Sequence, residues 1–228
     1  MIYNKYVNER KKGLLKMEKF IVFDTETTNT IDDPFMYDIG WAVIDANGKV
    51  YETASYVNAD IFLNKELMAS AYFADKIPQY WEDIKAGRRT LAKHFTIKKA
   101  FADCIKKWEI KVACAHNASF DYRSTNTTQR YITSSKYRYF IPYELELWDT
   151  LKMARQAFKN DEAYDTFCYE NEYLTKNGRK RYTAEILYRF ISGNNEFTEE
   201  HTGLADVLIE KEILVECLRR GVADGKLW

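Results

Sequence analysis

KFIVFDTETT, Lys19 to Thr28, decides the reading of this chain. Phe20, Ile21, Val22 and Phe23 form a short apolar run rich in β-branched and aromatic side chains. Such a run predicts a buried strand over Lys19–Asp24. Two acids follow. Residues i and i+2 of an extended chain point to the same side. Asp24 and Glu26 are therefore expected side by side at the carboxyl end of that strand. Like charges so close repel unless something positive lies between them. A divalent cation meets that need, and an all-oxygen ligand set favours Mg²⁺ or Mn²⁺. Taken alone, an acid pair after a strand is more often a solvated strand end.

Downstream, Ile39–Val57 reads as a hairpin turning at Asn47-Gly48. Ile97, Ala100, Phe101, Cys104, Ile105 and Trp108 recur at helical spacing and predict an amphipathic helix. Lys111–Asn117 and Leu145–Asp149 read as further strands, with a helix from about Thr150 to Phe158. Thr183–Ile191 has a helical pattern, Gly193–His201 reads as a loop, and Leu204 to Leu218 outline a long C-terminal helix. Strands first, then strands alternating with helices, predict an α/β fold with a mixed sheet flanked by helices.

The 228 residues allow one large domain or two small ones, and no linker divides them. A hydrophobic share of 46% argues against a largely disordered chain. No apolar run approaches the roughly 18 residues of a membrane span. Lys+Arg and Asp+Glu both total 34, so a grip on nucleic acid must come from local patches. The four cysteines are scattered with no C-x-x-C pair, which disfavours structural zinc and suits a reducing, cytoplasmic setting. The first seventeen residues carry five basic groups and one acid, without the apolar core of a secretory signal. Residues 1–18 are read as an N-terminal extension and 19–228 as a single domain.

Two further segments carry chemistry. HNASFD (His116–Asp121) follows the Lys111–Asn117 strand and places Asp121 early in a helix. Ligands gather at the carboxyl ends of strands in α/β sheets, although Asn117 would also serve as a helix cap. HTGLAD (His201–Asp206) puts His201 at the threshold of the C-terminal helix and Asp206 in its early turns. The His-x4-Asp spacing occurs in both segments and proves little by itself. The ordered set carries the weight.

FDTET (Phe23–Thr27), NASFD (Asn117–Asp121) and HTGLAD (His201–Asp206) resemble the three signature motifs of the DEDDh 3′–5′ exonucleases. That class includes the DnaQ-like proofreading epsilon subunit of bacterial DNA polymerase III. WDTLKMAR (Trp148–Arg155) is similar to a further segment of the class. The resemblance implies a ribonuclease H-like fold. It also implies an enzyme that releases nucleoside 5′-monophosphates from single-stranded 3′ ends, with DNA favoured over RNA. Two divalent cations, Mg²⁺ or Mn²⁺, are implied as cofactors. By the resemblance, Asp24, Glu26 and Asp206 hold one ion. Asp24 bridges to a second, which Asp121 helps through water. His201 is the general base, with His116 its rival. Thr25, Thr27, His116, Asn117 and Phe120 match positions around the terminal nucleotide, and a DNA polymerase is an implied partner. A DEDDh exoribonuclease or oligoribonuclease is the nearest alternative, and a non-catalytic nucleic-acid or polymerase-binding module another. The latter would be expected to lack one of the five catalytic residues, and none is missing. Two departures stand out: eighty residues separate Asp121 from His201, and Gly203 stands where many members carry Ala, which reads as harmless.

Candidate strand contacts lie elsewhere. Lys85–Lys111 holds nine Lys/Arg against two acids, followed by Arg123, Arg130, Lys136 and Arg138 with Tyr131, Tyr137 and Tyr139 interleaved. Basic residues can track phosphates and aromatics can stack on bases. A second Asn-Gly, at 177–178, predicts an inserted hairpin around 169–183 with Lys176, Arg179, Lys180 and Arg181 at its tip. Phe35 and Met36 are candidates for a wedge against the terminal base.

Overall fold

A computed structural model describes residues 18–136 and 139–227. The tail of residues 1–17 and the pair Tyr137 and Arg138 lie outside the described residues. Among the described residues the first elements are three long strands, β1 (Lys19–Asn29), β2 (Pro34–Asp45) and β3 (Val50–Asn58), and the last is a 17-residue helix. Strand order across the six-stranded sheet is β4-β3-β2-β1-β5-β6, with β4 spanning Thr90–Ala92, β5 Val112–Ala115 and β6 Glu146–Asp149. β1, β2 and β3 are antiparallel neighbours; β5 runs parallel to β1, and β6 to β5. This is the mixed sheet expected from the sequence. The turn joining β2 to β3 is built as its residues demand: Gly48 has φ +84°, and its N–H donates to the Asp45 carbonyl at 3.0 Å.

Between β3 and β4 come two four-residue helices, α1 (Ala59–Phe62) and α2 (Lys65–Met68), then α3 (Ile77–Lys85). Asn58 and Asn64 start the two short helices by accepting backbone N–H bonds. Helix α4 (His94–Trp108) buries Ile97, Phe101 and Cys104, as their spacing predicts. Beyond β5, α5 spans Ala118–Ile132; beyond β6 follow α6 (Thr150–Ala157), α7 (Glu162–Glu170), α8 (Ala184–Ser192) and α9 (Gly203–Arg219). Apolar cores fill both sides of the sheet. One contains Phe20, Val22, Met153, Leu187, Val207 and Leu214, and the other Ile21, Phe23, Trp41, Phe101 and Phe140. Alternate β1 residues thus face opposite layers, the period-two rule of a strand covered on both faces.

The structure changes three boundaries. β1 runs past Asp24 to Asn29, so both acids lie within the strand. β2 starts at Pro34 and takes in Phe35 and Met36. Met36 is fully buried and Phe35 stacks on Tyr131 at 4.5 Å, so both pack inside the protein instead of forming a wedge. The predicted hairpin at 169–183 begins only after α7 and makes one isolated bridge, Leu174 to Lys180. It is a tight loop, closed by Thr175 N–H on the Arg179 carbonyl (2.7 Å) and Arg181 N–H on the Tyr173 carbonyl (3.0 Å).

Gly203 is not a harmless variation. Helix α9 crosses β2 so closely that a Cβ on Gly203 would lie 2.7 Å from the Gly40 backbone nitrogen and 3.1 Å from the Asp24 carbonyl oxygen. Backbone cannot yield there as a flexible side chain would. Gly203→Ala is expected to destabilise the fold by about 1–3 kcal/mol through overpacking. A lower urea midpoint at unchanged slope would register it; an unshifted midpoint would show that helix and strand can separate.

Candidate active site

Pairing between β1 and β5 stops at Val22. Beyond it β1 keeps β2 as its partner, with Asp24 opposite Gly40 and Glu26 opposite Asp38. Asp121, in the first turn of α5, meets Thr25 where β5 has left off. Its Oδ1 accepts the Thr25 N–H at 3.1 Å and the Thr25 hydroxyl at 2.8 Å. The opening turn of α9 delivers Asp206 to the same place. One carboxylate oxygen from each of Asp24, Glu26 and Asp206 lies within 4.8 Å of the other two.

These acids are poorly stabilised by the protein alone. Burial, then the charge of Glu210, pushes the Asp24 carboxyl well above the usual range. Burial, then Asp206, does the same to Glu26. Asp206 is pushed up to about 8 by burial and then by Glu199. Asp121 is raised to about 7 by burial, against the opposing Thr25 hydrogen bonds. Asp206 Oδ1 is buried with no hydrogen-bond partner among the described residues. A buried orphan acceptor is costly, and acids gathered this closely need shared protons or a cation. The donors are hard carboxylate oxygens without nitrogen or sulfur, so a divalent ion of the Mg²⁺ or Mn²⁺ kind fits the chemistry of the cluster.

A single cleft of about 1300 Å³ is lined by Asp24, Thr25, Glu26, Asp121, His201 and Asp206, with His116, Asn117 and Phe120 also on its wall. His201 has φ +52°, and its ring stacks on Phe73 at 4.2 Å with the planes 10° apart. Its Nδ1 lies 3.9 Å from the Glu199 carboxylate. Burial lowers its pKa, which favours the neutral ring. His116 differs. Its Nδ1 is 3.0 Å from the Thr150 hydroxyl and its Nε2 is 2.8 Å from the Tyr182 carbonyl. Both nitrogens are engaged within the chain, so His116 offers a bound molecule only its ring.

Asn117 starts α5 with φ +66° and no side-chain capping bond, so the capping role does not hold. Its N–H instead donates to Asp149, which also caps α6. Phe120 is half-buried on the cleft wall, with the Arg123 guanidinium 5.7 Å from its ring. Thr27 is not on that wall. A bulge between Glu26 and Thr27 shifts the register there, and Thr27 pairs with Met36. The Lys85–Lys111 stretch, Arg123, Arg130, Lys136, Tyr131 and Tyr139 also contribute nothing to the wall. Several of these cations serve the fold: Arg88 and Arg89 bind Asp83, Lys107 binds Glu52 and Lys98 bonds the Tyr139 carbonyl.

Sequence reasoning missed Glu199 and Glu210, both on the wall. Glu210 lies one helical turn after Asp206 and is 3% exposed, so an i+4 search along α9 would have found it. It also missed Asp38, whose buried Oδ2 accepts from Tyr80, Arg89 and the Gly203 N–H at 2.7, 2.9 and 2.9 Å. That contact ties the start of α9 to β2, directly opposite Glu26.

No protein-family model matches the chain, and no curated protein matches it in sequence. Solved structures do match in fold. Exonuclease I of E. coli superposes with a TM-score of 0.51 at 16% identity, over 86% of this chain and 39% of that one. Exonuclease I of Methylocaldum szegediense gives 0.53 at 16% identity, over 89% and 40%. Pop2p of S. pombe, solved with Mg²⁺ and Mn²⁺ bound, gives 0.50 at 11% identity, over 98% and 92%. The chain spans about two fifths of the exonuclease I chains it resembles. The fold is ribonuclease H-like, an α/β mixed sheet flanked by helices. The likeness is to that fold at large, not to the polymerase III epsilon subunit in particular.

Proposed function

We propose that this chain is a metal-dependent 3′–5′ exonuclease that removes nucleoside 5′-monophosphates from single-stranded DNA ends. One observation carries the reading: Asp24, Glu26 and Asp206 bring three carboxylate oxygens within 4.8 Å, on a cleft that also holds Asp121 and His201. These are the five positions singled out by the DEDDh resemblance, drawn together from three distant parts of the chain. Divalent cations at such a site supply, when bound, charge neutralisation at the phosphate and a more acidic water.

The chain's own residues do the rest. Asp24, Glu26 and Asp206 would hold the cations, and the free oxygen of Asp121 would orient water beside them. Thr25 fixes the Asp121 carboxylate through two bonds, both to Oδ1. His201, kept neutral by burial and held flat against Phe73, accepts the proton of the attacking water. Phe120 offers an aromatic face for the terminal base, and Asn117, exposed at the start of α5, offers an amide to the terminal sugar.

A 5′-labelled oligonucleotide, supplied as DNA and as RNA with Mg²⁺, Mn²⁺ or EDTA, tests this. The expected result is a ladder shortening from the 3′ end, faster on DNA, that disappears with EDTA. Faster degradation of RNA would move the assignment to an exoribonuclease. An oligonucleotide of unchanged length in every metal would refute catalysis.

A further inference from the structure

The cleft holds charges of both signs. Beside the acids its lining includes Arg155 from α6, Lys159 just after that helix, and Arg179 and Arg181 from the loop between α7 and α8. All four are exposed, and none of their side chains forms an ion pair with the described residues. Their neighbours behave otherwise: Lys180 is bound to Asp165 and to the Phe158 and Lys159 carbonyls, while Arg189 is bound to Glu185. Lys180 anchors the loop to α6, and His116 anchors it to the acid centre through the Tyr182 carbonyl. A loop fastened at both sides thus presents unpaired cations into the same cleft as the acids. Like charges crowded on one wall favour an anionic ligand with several charges.

Resting on the exonuclease reading, we infer that Arg155, Lys159, Arg179 and Arg181 form a phosphate-tracking wall. It holds the strand upstream of the scissile bond and makes a polynucleotide, instead of a dinucleotide, the preferred substrate. A dinucleotide has a single linking phosphate, which the acid centre and its cations would occupy, leaving nothing for the wall. A longer strand offers further phosphates to these four cations.

The full chain, its Arg179→Gln/Arg181→Gln and Arg155→Gln/Lys159→Gln variants, and a Lys106→Gln/Lys111→Gln control on the far stretch decide the matter. Three readouts are needed: kcat/KM on a 20-nucleotide DNA, kcat/KM on a DNA dinucleotide, and anisotropy of a labelled 20-mer titrated in Ca²⁺ over a salt series. Each wall variant is expected to lose about tenfold or more on the 20-mer and little on the dinucleotide, while the control loses nothing. Each neutralised phosphate contact should also flatten the salt slope by about 0.7, the single-strand value. Equal losses on both substrates, or no loss on either, would overturn the inference. Should the parent chain cleave neither substrate, the exonuclease reading fails on its own. The wall then stands if 20-mer binding still weakens in the variants, and falls if it does not.

Discussion

Asp206→Asn is expected to abolish measurable exonuclease activity and, in metal-free buffer at pH 8, to make the protein more stable. Asp206 contributes one of the three clustered oxygens, and its Oδ1 has no other partner among the described residues. Changing a residue that merely supports a metal ligand typically costs 10–100-fold. Losing the ligand itself should therefore cost about a hundredfold or more in turnover. The stability gain follows from the proton balance. In the folded metal-free protein, burial and then Glu199 raise the Asp206 carboxyl from 3.8 to about 8, so the folded state holds a proton the unfolded chain has released. Where the folded state binds more protons, stability falls as pH rises. The parent chain in EDTA should therefore melt at progressively lower temperature from about pH 4 to pH 8, a window that Asp24 and Glu26 share in direction. The amide cannot ionise, so the variant's profile should be flatter. Millimolar Mg²⁺ should lift the parent's melting temperature at pH 8 and the variant's much less. Equal stabilisation of both by Mg²⁺, with parallel pH profiles in EDTA, would mean that Asp206 holds no cation.

The acid cluster was legible because its parts are local. A strand's period put Asp24 and Glu26 on one side, and the start of a helix put Asp206 at a fixed place in each reading. Their convergence was supplied by the motif order, since no local rule shows that α9 crosses β1 and β2. The same gap explains Gly203. Its need for a missing Cβ arises from contact with Gly40, 163 positions away in the chain, and nothing in HTGLAD announces it. The segment from Asn58 to Thr90 carried little signal. Helices of four residues show barely one turn of periodicity, and their Asn caps resemble ordinary loop residues. Charge counting misled in the Lys85–Lys111 stretch, because a run of cations does not show which of them already face acids. Arg89 is the plainest instance, buried in contact with both Asp38 and Asp83. The charge of the basic loop after α7 is plain in the sequence, but not that Lys180 fastens it to Asp165 and to the Phe158 carbonyl after α6.

The two cleft histidines should separate cleanly on mutation. His201→Ala is expected to lower kcat by about 10²–10⁴-fold, the usual weight of a general base. Binding of a labelled oligonucleotide and stabilisation by Mg²⁺ should both survive, since His201 is not part of the carboxylate cluster. His116→Ala should act differently. Its ring nitrogens join Thr150 to the Tyr182 carbonyl, so truncation frees one side of the basic loop and leaves a part-buried carbonyl without its donor. An unmet buried hydrogen-bonding group costs about 1–3 kcal/mol, which should appear as a lower melting temperature. The loop carries Arg179 and Arg181, so KM for a long strand should rise while turnover at saturation changes modestly. The pH profile tells the two apart. If His201 takes the water's proton, the acidic limb of the kcat profile should vanish in His201→Ala and persist in His116→Ala. Loss of that limb in His116→Ala alone would transfer the base to His116 and require the Tyr182 contact to open during turnover. Persistence in both variants would leave the proton with the carboxylates, most directly Glu199, which lines the same cleft and is raised to about 7 by burial and then by Glu185.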